Sequence, residues 1–344
     1  MTTRTLLLTA LAMLAFAGNS ILCRIALRDT AIDPASFTGL RIVAGALTLW
    51  LLLRVDRADQ PLGGDWVGAM ALFVYAACFS FAYIDLDAGA GALLLFGAVQ
   101  LSMLAWGLLR GERFSAGQLA GLLLAVSGLV ILLLPGSSTP PLDGALLMIL
   151  SGIAWGVYSL RGRGAATPLA ATAGNFLRAV PLAAVLCLLS LGQQTWDWPG
   201  VAYALLSGAL TSGVGYAIWY AALPGLAAIQ AASVQLSVPL LAAFAGAVLL
   251  GEAVTTTLLL AGTAILGGIA LVLRIRHRHY PGVAGHHSVS DSRKRSASPL
   301  RFCRQASSSA RVSGGVSSST VTASINGCRG SVLALAWARG GWNS

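Results

Sequence analysis

The sequence predicts an all-α integral membrane protein in which ten transmembrane helices form two inverted five-helix repeats. Three observations carry that prediction. Of the 344 residues, 56% are hydrophobic and only 10% charged, with a mean hydropathy of +0.78, whereas soluble domains carry about 25% charged residues. Apolar stretches close to the roughly 20 residues that a spanning helix needs follow one another along the chain, separated by short turns. A polar motif inside such a stretch, Val-Gln-Leu-Ser, is written twice, at 99–102 and 234–237, and each copy leads into a Gly-Glu corner, at 111–112 and 251–252.

In chain order the spans fall near 5–27, 35–53, 64–84, 88–109, 115–134, 143–160, 169–191, 198–221, 226–250 and 255–273. Their connections carry breakers such as Asp33-Pro34, Pro61-Leu62-Gly63-Gly64, Pro135-Gly136, Pro140-Pro141, Trp198-Pro199-Gly200 and Pro224-Gly225, which end helices by removing a backbone donor or admitting a turn. Short turns make sequential helices antiparallel. In hydrocarbon every backbone amide needs an internal partner, so the architecture is a helix bundle. The first span has a second reading: Arg4, the apolar run 6–14 and Ala15-Phe16-Ala17 resemble a cleavable signal peptide, yet apolar character resumes after Asn19.

Arginines set the orientation. With a cytoplasmic N-terminus, Arg4, Arg54, Arg57, Arg110, Arg113, Arg161, Arg163, Arg274, Arg276 and Arg278 all fall inside, while the outer loops hold Arg28, with Arg24 close by in the first helix. The positive-inside rule therefore predicts that both termini are cytoplasmic. The anchors of the two halves keep one order: Asp33-Pro34 with Thr167-Pro168, Gly89 with Gly225, then the Val-Gln-Leu-Ser and Gly-Glu pairs. Repeats are expected over 5–134 and 143–273. Five helices per half is an odd number, which inverts the second half relative to the first, an arrangement associated with alternating access.

From about residue 277 the composition turns to Ser, Arg and Gly, and 277–344 is expected to be a disordered basic tail. Residues 279–344 hold eight Lys or Arg against Asp291 alone, so +7 of the net +10 lies there and +3 in the body. Basic residues gathered in a tail rather than on a folded face argue against a nucleic-acid partner. The histidines His277, His279, His286 and His287 lie at or beyond the end of the body. The sequence shows no His-Glu-x-x-His, glycine-rich phosphate loop or Gly-x-Ser-x-Gly elbow. No cofactor is implied.

Polar residues at membrane depth are the informative ones, because a charge at the centre of a spanning helix costs about 2.5–3.5 kcal/mol and seeks a cavity or a partner. Thr172, Asn175 and Arg178 share one stripe of the seventh span. Arg178 either binds an anionic group of a solute or is satisfied by helix-end carbonyls or a carboxylate; Arg41 lies in the second span, its repeat-mate. Gln100 and Gln235 sit near the middle of the fourth and ninth spans, as cavity lining or as interhelical glue. Aromatic stripes run through Tyr75, Phe79 and Tyr83; Ser151, Trp155 and Tyr158; and Ser212, Tyr216, Trp219 and Tyr220. Phe16, Asn19 and Cys23 share a face of the first span. Tyr83, Trp196, Trp198 and Trp219 suit interfacial belts, whereas Trp155 and Tyr216 lie deeper. Asp85, Asp87, Glu112 and Glu252 sit at corners, where they either relay protons or favour helix N-termini.

The corner LLRGERFSAGQLAGLLLAVSGLVILL (108–133) and its counterpart VPLLAAFAGAVLLGEAV (238–254), running into LLLAGTAILGGIALVL (258–273), resemble the EamA-type carriers of the drug/metabolite transporter superfamily. Pro239, Gly251 and Glu252 match that pattern in the second half, and Gly111 and Glu112 in the first, which lacks the proline and has Gln100 nearby. The resemblance covers roughly 5–273. It implies an inner-membrane secondary transporter that exports a small metabolite, with a solute and the bilayer as partners and a proton as a coupling ion. The residues expected to line its site are Asn19, Gln100, Trp155, Asn175, Arg178, Tyr216 and Gln235, with Arg178 on any anionic group. The alternatives are an integral-membrane scaffold or lipid-binding protein, and a membrane-embedded enzyme, for which clustered histidines or paired carboxylates facing one cavity would be needed.

Overall fold

The computed structural model describes residues 2–55, 62–111, 114–134, 140–162, 165–226 and 228–279. Glu112 and the tail beyond residue 279 lie outside them. The described chain is helical throughout: α1 Thr3–Asp29, α2 Pro34–Val55, α3 Trp66–Ala82, α4 Ala88–Leu109, α5 Ala116–Leu133, α6 Leu142–Gly162, α7 Pro168–Leu189, α8 Trp198–Gly225, α9 in two pieces (Ala228–Gln235 and Ser237–Leu250), and α10 Thr256–His279. Among the described residues, nine helices are long and apolar enough to cross a membrane. The tenth, α3, has 17 residues. It is shorter than the expected span 64–84 because the Asp65 carboxylate caps the Gly68 amide at one end and residues 83–87 are taken by a turn at the other. At the far end of the body, α10 continues past 273 to His279.

Large apolar side chains on the outside of the bundle are exposed, among them Leu109, Leu189, Leu249 and Phe244. Water would penalise that surface, and hydrocarbon does not. Trp196 and Trp198 are also exposed, as belts require, but Tyr83 and Trp219 are buried. They pack on Phe79 and Phe16 respectively, so they serve the protein interior rather than the lipid interface.

The two copies of Val-Gln-Leu-Ser share a local hydrogen bond: Ser102 Oγ donates to the Val99 carbonyl at 2.9 Å and Ser237 Oγ to the Val234 carbonyl at 2.6 Å. Beyond that bond the two helices diverge. Pro239 has no N–H for the Gln235 carbonyl, four residues back, and α9 breaks at Leu236. The first copy has no proline, and α4 runs straight through. The glycines of both corners, Gly111 and Gly251, have φ of 86° and 64°, a left-handed conformation that a β-carbon disfavours.

In α8 the eight residues Ser207–Val214 form a π-helical segment. Thr211 Oγ1 donates to the Ser207 carbonyl at 2.7 Å, a side-chain bond of the kind that competes with the regular ladder. The helices α5 and α10 pack closely along small residues, as membrane interfaces do. A β-carbon at Gly268 would collide with the Gly121 carbonyl and the Ala125 amide nitrogen, while one at Gly267 would meet nothing within 4 Å. Gly268→Leu is therefore expected to force α5 from α10 and cost about 1–3 kcal/mol. Gly267→Leu should leave the thermal midpoint of the detergent-solubilised protein unchanged, and melting curves of the two variants check both.

Candidate functional site

Halfway along the bundle, α1, α3, α4, α6, α8 and α9 enclose a cavity lined by Asn19, Tyr75, Trp155, Thr211, Tyr216 and Gln235, with Phe16, Ser20, Phe79, Leu95, Phe96 and Ser212 completing it. Its volume is about 20 Å³, room for about one water. Asn19 is its polar hub. Its amide nitrogen donates to Tyr75 Oη at 3.3 Å, its carbonyl oxygen accepts from Ser207 Oγ at 2.7 Å, and Thr211 Oγ1 lies 3.2 Å from the same oxygen. One side chain of α1 thus ties α3 to the π-helical segment of α8. The wider turn there brings Thr211 and Ser212 onto the cavity together with Tyr216.

The walls are aromatic. Ring centroids of Tyr75 and Trp155 are 4.7 Å apart, those of Trp155 and Tyr216 5.3 Å, and those of Phe16 and Tyr216 5.8 Å. The α6 face is fixed by Ser151 Oγ, which donates to the Tyr75 carbonyl at 2.9 Å, and by Tyr158 Oη, 3.2 Å from Thr172 Oγ1. Such a chamber offers amide and hydroxyl hydrogen bonds at its centre and ring faces around them. Those groups suit a small polar solute.

Of the residues expected at the site, Asn19, Trp155, Tyr216 and Gln235 meet here. Gln100 is buried on α4, one turn beyond Phe96 on the same stripe and outside the lining. Asn175 and Arg178 lie elsewhere. Arg178 Nη1 donates to the Gly63 carbonyl at 2.7 Å and the Gly174 carbonyl at 3.0 Å, and Asn175 Oδ1 accepts from the Asp65 amide at 2.9 Å. Of the two roles open to Arg178, the geometry gives it carbonyl partners. With Arg161, whose Nη2 is 3.1 Å from the Asp65 carboxylate, these side chains hold Gly63 and Asp65 just ahead of α3. The Gly68 amide, ahead of Arg161, holds the Asp65 carboxyl below its usual range.

The opposite end is closed by charges from both halves. Arg24 Nη1 donates to the carbonyls of Tyr83 at 3.1 Å and Ile84 at 2.7 Å, its Nε lies 3.2 Å from Glu252 Oε1, and its Nη2 lies 3.4 Å from Asp87 Oδ1. Glu252 Oε2 accepts from the Ala88 amide at 2.8 Å. The first turn of α4 is therefore capped across the bundle by Glu252 instead of by its own N-cap residue Asp87, which makes no side-chain cap bond. In the sequence Glu252 stands out as a corner and Arg24 only for topology. The lining residues Tyr75 and Phe79 are legible there as a stripe, and Ser212 as part of another. The dense hydroxyl run Ser207–Ser212 in an apolar helix is the signal for Thr211.

A model of the EamA-like transporter family matches residues 3–134 and 142–274. A Pseudomonas aeruginosa protein described as uncharacterized is 65% identical over 274 residues, covering 79% of this chain and 96% of that one. The threonine/homoserine exporter RhtA of Escherichia coli is 30% identical over 162 residues, covering 44% of this chain and 54% of the exporter. A solved crystal structure superposes with a TM-score of 0.57 at 20% identity, over 81% of this chain and all of that one, a likeness of fold.

The side chains of Arg24 and Glu252 are 9% and 7% exposed. Burial raises the Glu252 carboxyl above 4.5 and the Asp87 charge adds to that, against the Ala88 amide and Arg24. With the folded-state value raised, the unfolded chain binds fewer protons, so this group's contribution to stability falls as pH rises from 4.5 through the folded value. Arg24→Ala takes away an opposing cation and raises that value further. Its destabilisation is expected to be least near pH 4.5, where the cost of the lost bonds to the Tyr83 and Ile84 carbonyls remains, and to grow by about 3 kcal/mol by about pH 8. Melting curves across that range check it, and a loss independent of pH would contradict the pairing.

Proposed function

The chain belongs to the EamA-like transporter family, and from that premise we propose that it exports a small metabolite, an amino acid or similar solute, by alternating access through the central cavity. The observation that carries this reading is the chamber itself: an amide hub and hydroxyls at mid-bundle, ringed by aromatic faces. A space of about 20 Å³ is far below what an amino acid needs, and this reading takes the arrangement as an occluded state. Solute enters when one seal parts and leaves when the other does. The seals have different chemistry, Arg24 with Glu252 and Asp87 at one end and Arg161, Asn175 and Arg178 on residues 63–65 at the other. That difference lets them be released independently.

This reading takes the two halves as inverted repeats, as an odd number of helices in each would make them. The family model falls once on each half, and counterpart helices meet one another: α2 packs on α7, α4 on α9 and α5 on α10. The break in α9 and the widened turn of α8, both beside the site, fit the helix interruptions by which transporters bring backbone groups to a binding site. The arginine distribution supports a bacterial inner-membrane protein with both termini cytoplasmic. The Arg24 seal is then external, where protonation of Glu252 would weaken it, and a proton is the coupling ion of this reading. The amino-acid class draws on the name of the RhtA relative.

The test is counterflow of labelled threonine and other amino acids in proteoliposomes. Transport should fall at least roughly tenfold in Trp155→Ala, the scale of losing a packed aromatic wall, and Asn19→Ala should do the same through the hydroxyl hub. Liposomes holding folded protein that move no labelled solute would favour the non-transporting scaffold or lipid-binding reading instead.

A further inference from the structure

We propose that Arg41 is the anion-binding residue of the central cavity, and that the exported solute carries a carboxylate paired with it. The proposal rests on the exporter reading above and names the group that selects the solute. Arg41 lies on α2 and is 2% exposed. Its Nη2 donates to the Ala76 carbonyl at 2.8 Å, but its Nη1 is buried with no hydrogen-bond partner. Among the described residues it forms no ion pair, unlike Arg24, Arg28 and Arg161, and Arg178 has two carbonyls for one nitrogen. A guanidinium has five donors and a fixed charge. Held in the dry interior of a membrane bundle without a counter-ion, it is an incomplete ion pair.

What surrounds it are ring faces. The Arg41 guanidinium carbon lies 5.0 Å from the Phe79 centroid and 5.8 Å from those of Tyr75 and Phe37. Cation–π attraction offsets part of the burial cost but uses no N–H donor in the ring plane. Tyr75 and Phe79 are also wall residues of the cavity, so the unpaired cation stands directly behind that wall. A solute larger than the one water this space holds needs the wall to move, and in this proposal Tyr75 and Phe79 are the rings that give way and uncover Nη1. A carboxylate meets such a guanidinium with two parallel hydrogen bonds. A single cation favours a monoanion over a phosphate dianion. The rings of Trp155 and Tyr216, which also line the cavity, then suit an ammonium group, so the pair of sites fits an α-amino acid.

The test uses the full-length protein in detergent, with thermal stabilisation followed by calorimetry for the twenty amino acids, each paired with its α-carboxamide, which keeps the ammonium and removes the carboxylate charge. At least one amino acid should bind, its amide at least about tenfold more weakly. Arg41→Gln should bring the acid down to the affinity of the amide, and Arg41→Lys, which keeps the charge but not the fork, should fall between. If Arg41→Gln does not fold, the acid-to-amide ratio of the natural protein and the Lys variant decide. Equal affinity of the natural protein for acid and amide, or unchanged acid binding by folded Arg41→Gln, overturns the assignment and leaves the exporter reading in place. Binding of none of the amino acids overturns the assignment and removes the amino-acid class from the exporter reading.

Discussion

Everything in this bundle answers to the contact between Arg24 and Glu252, because it joins the two halves where neither could complete itself. The first turn of α4 presents an amide at Ala88 that its own N-cap residue does not bond. The carboxylate that satisfies it comes from the corner after α9. That carboxylate is tolerable under burial because Arg24 meets it from α1 and holds the α3–α4 turn by two carbonyls. A side chain from each half thus repairs a backbone deficit or a charge deficit in the other. The rule that polar groups in a membrane bundle find internal partners is met by connecting elements far apart in sequence.

The same rule explains the middle of the molecule. A regular bundle of ten straight helices would fill its axis with apolar side chains and have no use for Asn19. Here α8 widens over Ser207–Val214 and α9 breaks beside Gln235. The backbone irregularity collects around one chamber, where hydroxyls and an amide satisfy it. Among the described residues Arg41 Nη1 and Ser36 Oγ are the exceptions, and of the two Arg41 carries the charge. Its guanidinium lies beside Tyr75 and Phe79, two residues of the cavity wall.

The recurrence of Val-Gln-Leu-Ser shows how far a repeated motif can be read. Both copies make the same serine-to-valine-carbonyl bond, so the local conformation was encoded by the four residues. Their use differs because Pro239 comes after only the second copy. The break it imposes places Gln235 on the cavity, whereas unbroken α4 carries Gln100 one turn past it. Arg178 shows the converse. Its depth in an apolar span was legible, but a long side chain reaches a full turn from its own Cα, and the carbonyls of Gly63 and Gly174 claimed it.

The sequence by itself determined the helical class, the places of the spans, the arginine asymmetry and the stripes holding Asn19, Tyr75, Trp155 and Tyr216. Each comes from composition or from a local periodicity that one helix can express. Only the tertiary structure decided which polar side chains face one another: Glu252 on Ala88, Asn19 on Ser207, Arg178 on Gly63, and Arg41 on ring faces with a donor unused. Those pairings depend on crossing positions, side-chain reach and helix breaks among segments up to more than two hundred residues apart. No pattern within a single span contains that information.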